Sequence, residues 1–210
     1  MDWALSSEIP FALTLAYSAF MVVLVPVYLR HYGPANFLYF CDIALLLTLA
    51  GLWLQSPLLL SVATVGILVP QLFWLFDFIA NLLGRRVSGM TDYMLDSRRS
   101  LLLRGLSLFH GWLPIMLLYA LAHSGYDARA LPIWTLLSSV LIFVCYRYIA
   151  PPSAGHGIRP VNINYVYGFS DVLPQRWMSQ RAWLALLFIG LPLLVYLPSH
   201  LLLRYLYAAA

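Results

Sequence analysis

The 210 residues are 62% hydrophobic and 10% charged, with a mean hydropathy of +0.83, whereas an ordinary soluble domain is about one quarter charged. Water is excluded as the main solvent. The net charge is +4 and every one of the twelve basic residues is arginine, but they are scattered between apolar runs and form no basic face, so nucleic acid is excluded as a partner.

Apolar runs long enough to cross a hydrocarbon core of about 30 Å occur six times. They predict an all-α, polytopic membrane bundle in a single domain. The first, Ile9 to Leu29, follows a start that carries Asp2 and Glu8 and no arginine before Arg30, so it reads as a retained helix, not a cleaved signal peptide. The second and third are Phe37 to Leu54 and Pro57 to Leu83. A long loop, Gly84 to Ser100, comes next. In it Thr91-Asp92-Tyr93-Met94-Leu95, flanked by paired arginines, reads either as a short interfacial helix near anionic head groups or as a solvated connection that only fixes topology. The fourth and fifth runs are Leu101 to Ala122 and Leu131 to Ile149; a second long loop, Ala150 to Arg181, leads to the sixth, Ala182 to Tyr205. Pro26, Pro70, Pro114 and Pro192 fall inside runs, where breaks are tolerated if neighbouring groups satisfy the freed carbonyls.

Alternating these runs across a bilayer puts ten arginines on one side and only Arg129 and Arg204 on the other. Because cytoplasmic loops retain positive charge, both termini are expected outside an inner membrane and both long loops in the cytoplasm.

Ionisable groups within spans are costly and mark the places to look for chemistry. Cys41 and Asp42 lie about 8 Å into the second run, Asp77 about 9 Å into the third and His110 about 10 Å into the fourth, all from the arginine-rich side. Gln71, Trp74, Asp77 or Phe78, and Asn81 follow spacings of three and four and share one helical face. Ser107 stands one turn before His110, and Pro114 one turn after it. A polar pocket open to the cytoplasm is expected. In the second loop, Arg159-Pro160-Val161-Asn162-Ile163-Asn164-Tyr165-Val166-Tyr167-Gly168 is too rich in Tyr and Ile for a disordered linker and reads as a folded cap. Trp177 is an expected interface anchor. Each polar group also has a plain reading: Cys41 and Cys145 as small buried hydrophobes, and His110, Asp42 and Asp77 as bonds between helices. His31, His123, His156 and His200 lie at span ends or in loops and are expected to be interfacial or solvated. With two cysteines, no CxxC pair and no Cys/His cluster at zinc spacing, neither a disulfide framework nor a metal or other cofactor is expected.

From Phe40-Cys41-Asp42-Ile43-Ala44-Leu45-Leu46-Leu47 onward, the chain resembles the YwaF-type bacterial membrane proteins, a domain also similar to that of the mammalian acyltransferase that remodels ether phospholipids. The order is Cys-Asp opening one helix, Asp ending the next, His opening the following one, then Asn-Tyr-x-Tyr. Here these are Cys41-Asp42, Asp77, His110 and Asn164-Tyr165-Val166-Tyr167, across roughly residues 36 to 170. The chain departs in having one span fewer, Tyr39 and Phe40 where the family has a His shortly before the Cys, and a longer connection from Asp77 to His110. A looser resemblance, to the androgen-induced-gene hydrolases of lipid esters, lacks their Thr motif; Thr48 is the only Thr of the second run.

The resemblance implies lipid acyl transfer or ester hydrolysis at the cytoplasmic leaflet. Cys41 is the expected nucleophile, His110 its base and Asp77 the group that orients the imidazole. Asp42, Gln71, Trp74, Asn81, Ser107 and Tyr167 are expected to line the substrate site, with Asn162 and Asn164 donating to an oxyanion or head group. The expected partner is membrane lipid, and self-association into a homo-oligomer stays open. The rival reading is a small-solute transporter or assembly scaffold that uses the same polar pocket; no internal repeat of the kind common in transporters is visible.

Overall fold

The computed structural model describes residues 8–153 and 157–207, and the helices within them, with no strand, form one bundle. Asp2, His156 and the C-terminal Ala210 lie outside the described residues. The helices are α1 (Phe11–His31), α2 (Phe40–Trp53), α3 (Pro57–Leu82), α4 (Leu101–Ser107), α5 (Phe109–Ser124), α6 (Ala130–Tyr148), α7 (Gln180–Leu191) and α8 (Leu197–Tyr207). Five segments are long and apolar enough to cross a membrane: α1, α3, α4 with α5, α6, and α7 with α8. α3 is the central one. It packs on α2, α5, α6 and α8 and is buried on nearly every side from Leu60 to Leu68. Gly66 lets it approach α6 closely, since a Cβ there would stand 2.0 Å from the Trp134 ring.

Three expected spans differ in detail. The second is a helix of only 14 residues, because Gly33 (φ +83°) and Pro34 turn the chain into a 3-10 helix over Pro34–Leu38, and Tyr39 is extended. Hydropathy cannot see this break, since Phe37, Leu38 and Tyr39 are as apolar as the helix they precede. α3, antiparallel to α2, has 26 residues, so at 1.5 Å per residue α2 starts about 18 Å short of the far end of α3. The fourth expected span is divided at Leu108 into α4 and α5. The sixth passes through one π-helical stretch, Pro192–Tyr196, at the proline.

The short α2 leaves space at the arginine-rich end, and the second long loop fills it. Ile163 and Val166 are fully buried there against Ile142, Cys145 and Trp183. The loop is therefore a folded cap, held down by the Trp183 indole donating to the Tyr165 carbonyl at 2.8 Å and the Gln180 amide to the Val166 carbonyl at 2.6 Å. Asn162, Asn164 and Tyr165 all have positive φ (51°, 57° and 58°). Asn tolerates that region; for Tyr165 it is a local strain that the two anchors hold in place.

Candidate functional site

The start of α2 is the organising point. Asn164 accepts from the Phe40 N–H at 3.0 Å and donates to the Leu38 carbonyl at 2.9 Å, so a side chain from the cap closes the first turn of α2. The same amide reaches the Cys145 sulfur at 3.5 Å, which places the first turn of α2 about one turn inside the end of α6. Cys41 follows, half-buried. Asp42 is buried and its Oδ2 accepts from Asn36 Nδ2 at 2.7 Å, while its Oδ1 has no partner. Gln71, on α3, is buried with both amide atoms unpartnered. Buried polar atoms without partners are rare.

Asp77 is very different. Its Oδ1 accepts from the Ser88 N–H (2.7 Å) and hydroxyl (2.8 Å), and its Oδ2 from the Thr91 N–H (3.0 Å) and hydroxyl (2.6 Å). Asn81, one turn on, donates to Thr91 and Asp92. These two residues therefore clamp the first long loop onto α3, and residues 91–95 form a single 3-10 turn, Asp92–Met94.

His110 is set by the break between α4 and α5. The Gly111 N–H bonds the Leu108 carbonyl at 2.9 Å, which leaves the Ser107 carbonyl free to accept from His110 Nδ1 at 2.8 Å. A carbonyl only accepts, so Nδ1 carries the proton and Nε2 the lone pair of the neutral ring. The ring stacks on Trp74 (4.7 Å, 17°) and Phe109 (4.1 Å, 27°). The Ser107 hydroxyl pairs with Tyr28 at 3.0 Å.

Several sequence-derived roles are corrected by these bonds. Asp77 does not orient the imidazole, since both its oxygens hold the loop and the Ser107 carbonyl holds the ring. Asn162 and Asn164 do not offer their donors to a substrate: Asn162 Nδ2 is spent on the Gly168 and Ser170 carbonyls, and Asn164 Nδ2 on Leu38 and Cys145. The Tyr167 hydroxyl is bonded to the Tyr146 carbonyl. No hydrogen bond joins Cys41 to His110 among the described residues. His200, expected to be interfacial, is buried and bonded to the Tyr126 hydroxyl at 2.6 Å, while His31 is exposed. Trp177 is exposed and stacks edge-on to Trp183.

The residue that sequence reasoning passed over is Tyr93. Its hydroxyl accepts from Trp74 Nε1 at 3.2 Å, lies within electrostatic reach of Cys41, and is pushed well above its ordinary pKa by burial, so it stays protonated. Tyr93 thus joins the first long loop to the Trp74–His110 stack. Tyr165 also lies within electrostatic reach of Cys41, and burial likewise raises its hydroxyl. Asn36, the partner of Asp42, was equally unseen; a lone Asn in an apolar stretch after Gly33-Pro34 was the available signal.

No family model, curated protein or solved structure matches the chain. What the arrangement can do is therefore argued from its own atoms.

Proposed function

We propose that the chain is a membrane enzyme of lipid metabolism that moves or releases an acyl group at Cys41, in the inner membrane with its arginine-rich end in the cytoplasm. The observation that carries this reading is the position of Cys41: a half-buried sulfur in the first turn of α2, where a helix N-terminus favours a thiolate. The order of Cys41-Asp42, Asp77, His110 and the Asn164-to-Tyr167 element, which resembles the YwaF-type proteins, supports it.

In this reading the sulfur attacks the ester carbonyl of a lipid and a thioester forms as the carbon–oxygen bond of the ester breaks. The thiol proton passes to His110 Nε2 and is returned to the leaving alcohol. A second alcohol, or water, then attacks the thioester, giving its proton to the same nitrogen, which hands it back to the sulfur. Tyr93, kept protonated by burial and bonded to the Trp74 that stacks on His110, serves as the donor to the carbonyl oxygen as it becomes an anion. Asp77 and Asn81 serve by holding the loop that carries Tyr93.

The test is acyl transfer or release from a fluorescent phospholipid by the purified chain in nanodiscs. Cys41→Ala abolishes it, and His110→Ala lowers it by roughly 10²- to 10⁴-fold, the size of a lost general base. Full activity in Cys41→Ala overturns the reading.

One observation favours the non-enzymatic alternative: His110 is bonded to the last carbonyl of α4 and Asp77 is saturated, as in a scaffold or a solute pathway whose polar groups hold helices together. In that case Cys41→Ala and His110→Ala both lower thermal stability and neither changes lipid chemistry.

A further inference from the structure

Ten of the twelve arginines are exposed, and Arg99 and Arg104 are the two that are not. An exposed arginine at a membrane surface is solvated and needs no partner. A sheltered one is ordinarily paired with an anion, because removing its charge from water is costly otherwise. Neither Arg99 nor Arg104 forms an ion pair among the described residues. The acids near them are committed: Asp92 to Arg86, Asp96 through both oxygens to Arg98, and Asp77 to Ser88 and Thr91.

What surrounds the two guanidinium groups fixes them; Asp96 acts on Arg99 through its charge but is hydrogen-bonded to Arg98. The Arg99 Cζ lies 5.2 Å from the ring centroids of both Tyr32 and Tyr93, and its Nη1 donates to the Tyr32 hydroxyl at 2.8 Å. Rings on the guanidinium orient it by cation–π attraction. Arg104 Nη1 donates to the Met94 carbonyl at 3.2 Å. In both residues Nε is buried without a partner, and Nη2 makes no hydrogen bond to a described residue. Two planar, charged donors are thus held beside the same turn, Tyr93-Met94, which Asp77 clamps to the bundle. With Nη1 engaged and Nε buried, Nη2 is the donor each has left for an oxyanion.

We propose that Arg99 and Arg104 form a binding site for a phosphate group on the arginine-rich face, next to Tyr93. The phosphate belongs either to a lipid head group or to a free phosphate in solution. The site is independent of the Cys41 chemistry: a chain without any acyl-transfer activity still binds the anion.

The test uses the purified full chain in neutral maltoside micelles in two arms, one with phosphatidylglycerol added and one with inorganic phosphate. Binding is read by native mass spectrometry and by the rise in melting temperature. Retention of phosphatidylglycerol alone identifies a lipid head group, and binding in both arms identifies phosphate itself as the recognised group. Arg99→Gln and Arg104→Gln each weaken binding roughly 10- to 100-fold, the scale of a lost charge-assisted hydrogen bond. Arg99→Lys, which keeps the charge and loses the fork, weakens it by a smaller factor and decides the matter should Arg99→Gln fail to fold. Arg85→Gln, exposed on the same face, changes it by less than about twofold, as a screened surface charge does. No binding in either arm, or equal loss from Arg85→Gln and Arg99→Gln, overturns the proposal.

Discussion

Asp77 and Asp42 are both buried carboxylates at the arginine-rich end of the bundle, yet their surroundings are opposite. Asp77 accepts four hydrogen bonds from one loop, whereas Asp42 accepts one, from Asn36, and keeps an oxygen with no partner. A saturated carboxylate is a fastening. An unsaturated one beside a cysteine keeps an acceptor in reserve, as the unpartnered amide of Gln71 does.

The largest effect that separates the two is on stability. Asp77→Ala leaves the Ser88 and Thr91 donors without their acceptor and costs roughly 3 kcal/mol or more by loss of charge-assisted bonds. Asp42→Asn keeps an acceptor for Asn36 and changes stability by less than about 1 kcal/mol. Thermal melting in detergent checks both, and equal losses would break the contrast. Asn164→Ala removes the bonds that close the start of α2 and tie it to the cap, and costs about 2 kcal/mol in the same measurement. Thr91→Val deletes one of the Asp77 donors and costs about 1 kcal/mol; a larger loss than from Asp77→Ala itself would mean that Thr91 acts through packing instead.

The smallest effect lies at the other end of the molecule. The Arg129 side chain, bonded to Asp127, holds that carboxyl below the usual aspartate range. Because its pKa is lowered on folding, its contribution is present above the ordinary value of about 4 and is lost as pH falls through the folded value. Arg129 is exposed and Asp127 partly so, so the loss stays below about 1 kcal/mol and vanishes in Asp127→Asn. Melting curves between pH 6 and the acid limit of folding read it out.

The sequence made the bundle legible because hydropathy reports burial in lipid directly: the long apolar runs of α1, α3, α6 and α7 with α8 are recognisable without any partner information. The run boundaries put Cys41, Asp77 and His110 at one level, but α2 begins about 18 Å short of the far end of α3, so Cys41 lies deeper than Asp77. The sequence could not show which of these groups touch. Whether Asp77 faces His110 or a loop depends on how Ser88-to-Thr91 folds back, and no periodicity encodes that. The break at Leu108, which hands the Ser107 carbonyl to His110, is likewise a backbone event without a hydropathy signature. Tyr93 and Arg99 were hidden for a simpler reason, since interfacial Tyr and Arg are so commonly bystanders that only their mutual packing singles them out.

The central claim is that Cys41, at the start of α2, is the reactive group, and mapping covalent labelling tests it most directly. The folded chain in phospholipid nanodiscs is treated with a lipid-like acyl electrophile, digested, and the modified peptide identified by mass spectrometry. Cys41 carries the label, His110→Ala slows its appearance, and Cys145, fully buried behind Asn164, stays unmodified. Labelling of Cys145 in preference to Cys41, or a wild-type chain that takes up no label while remaining folded, contradicts the account.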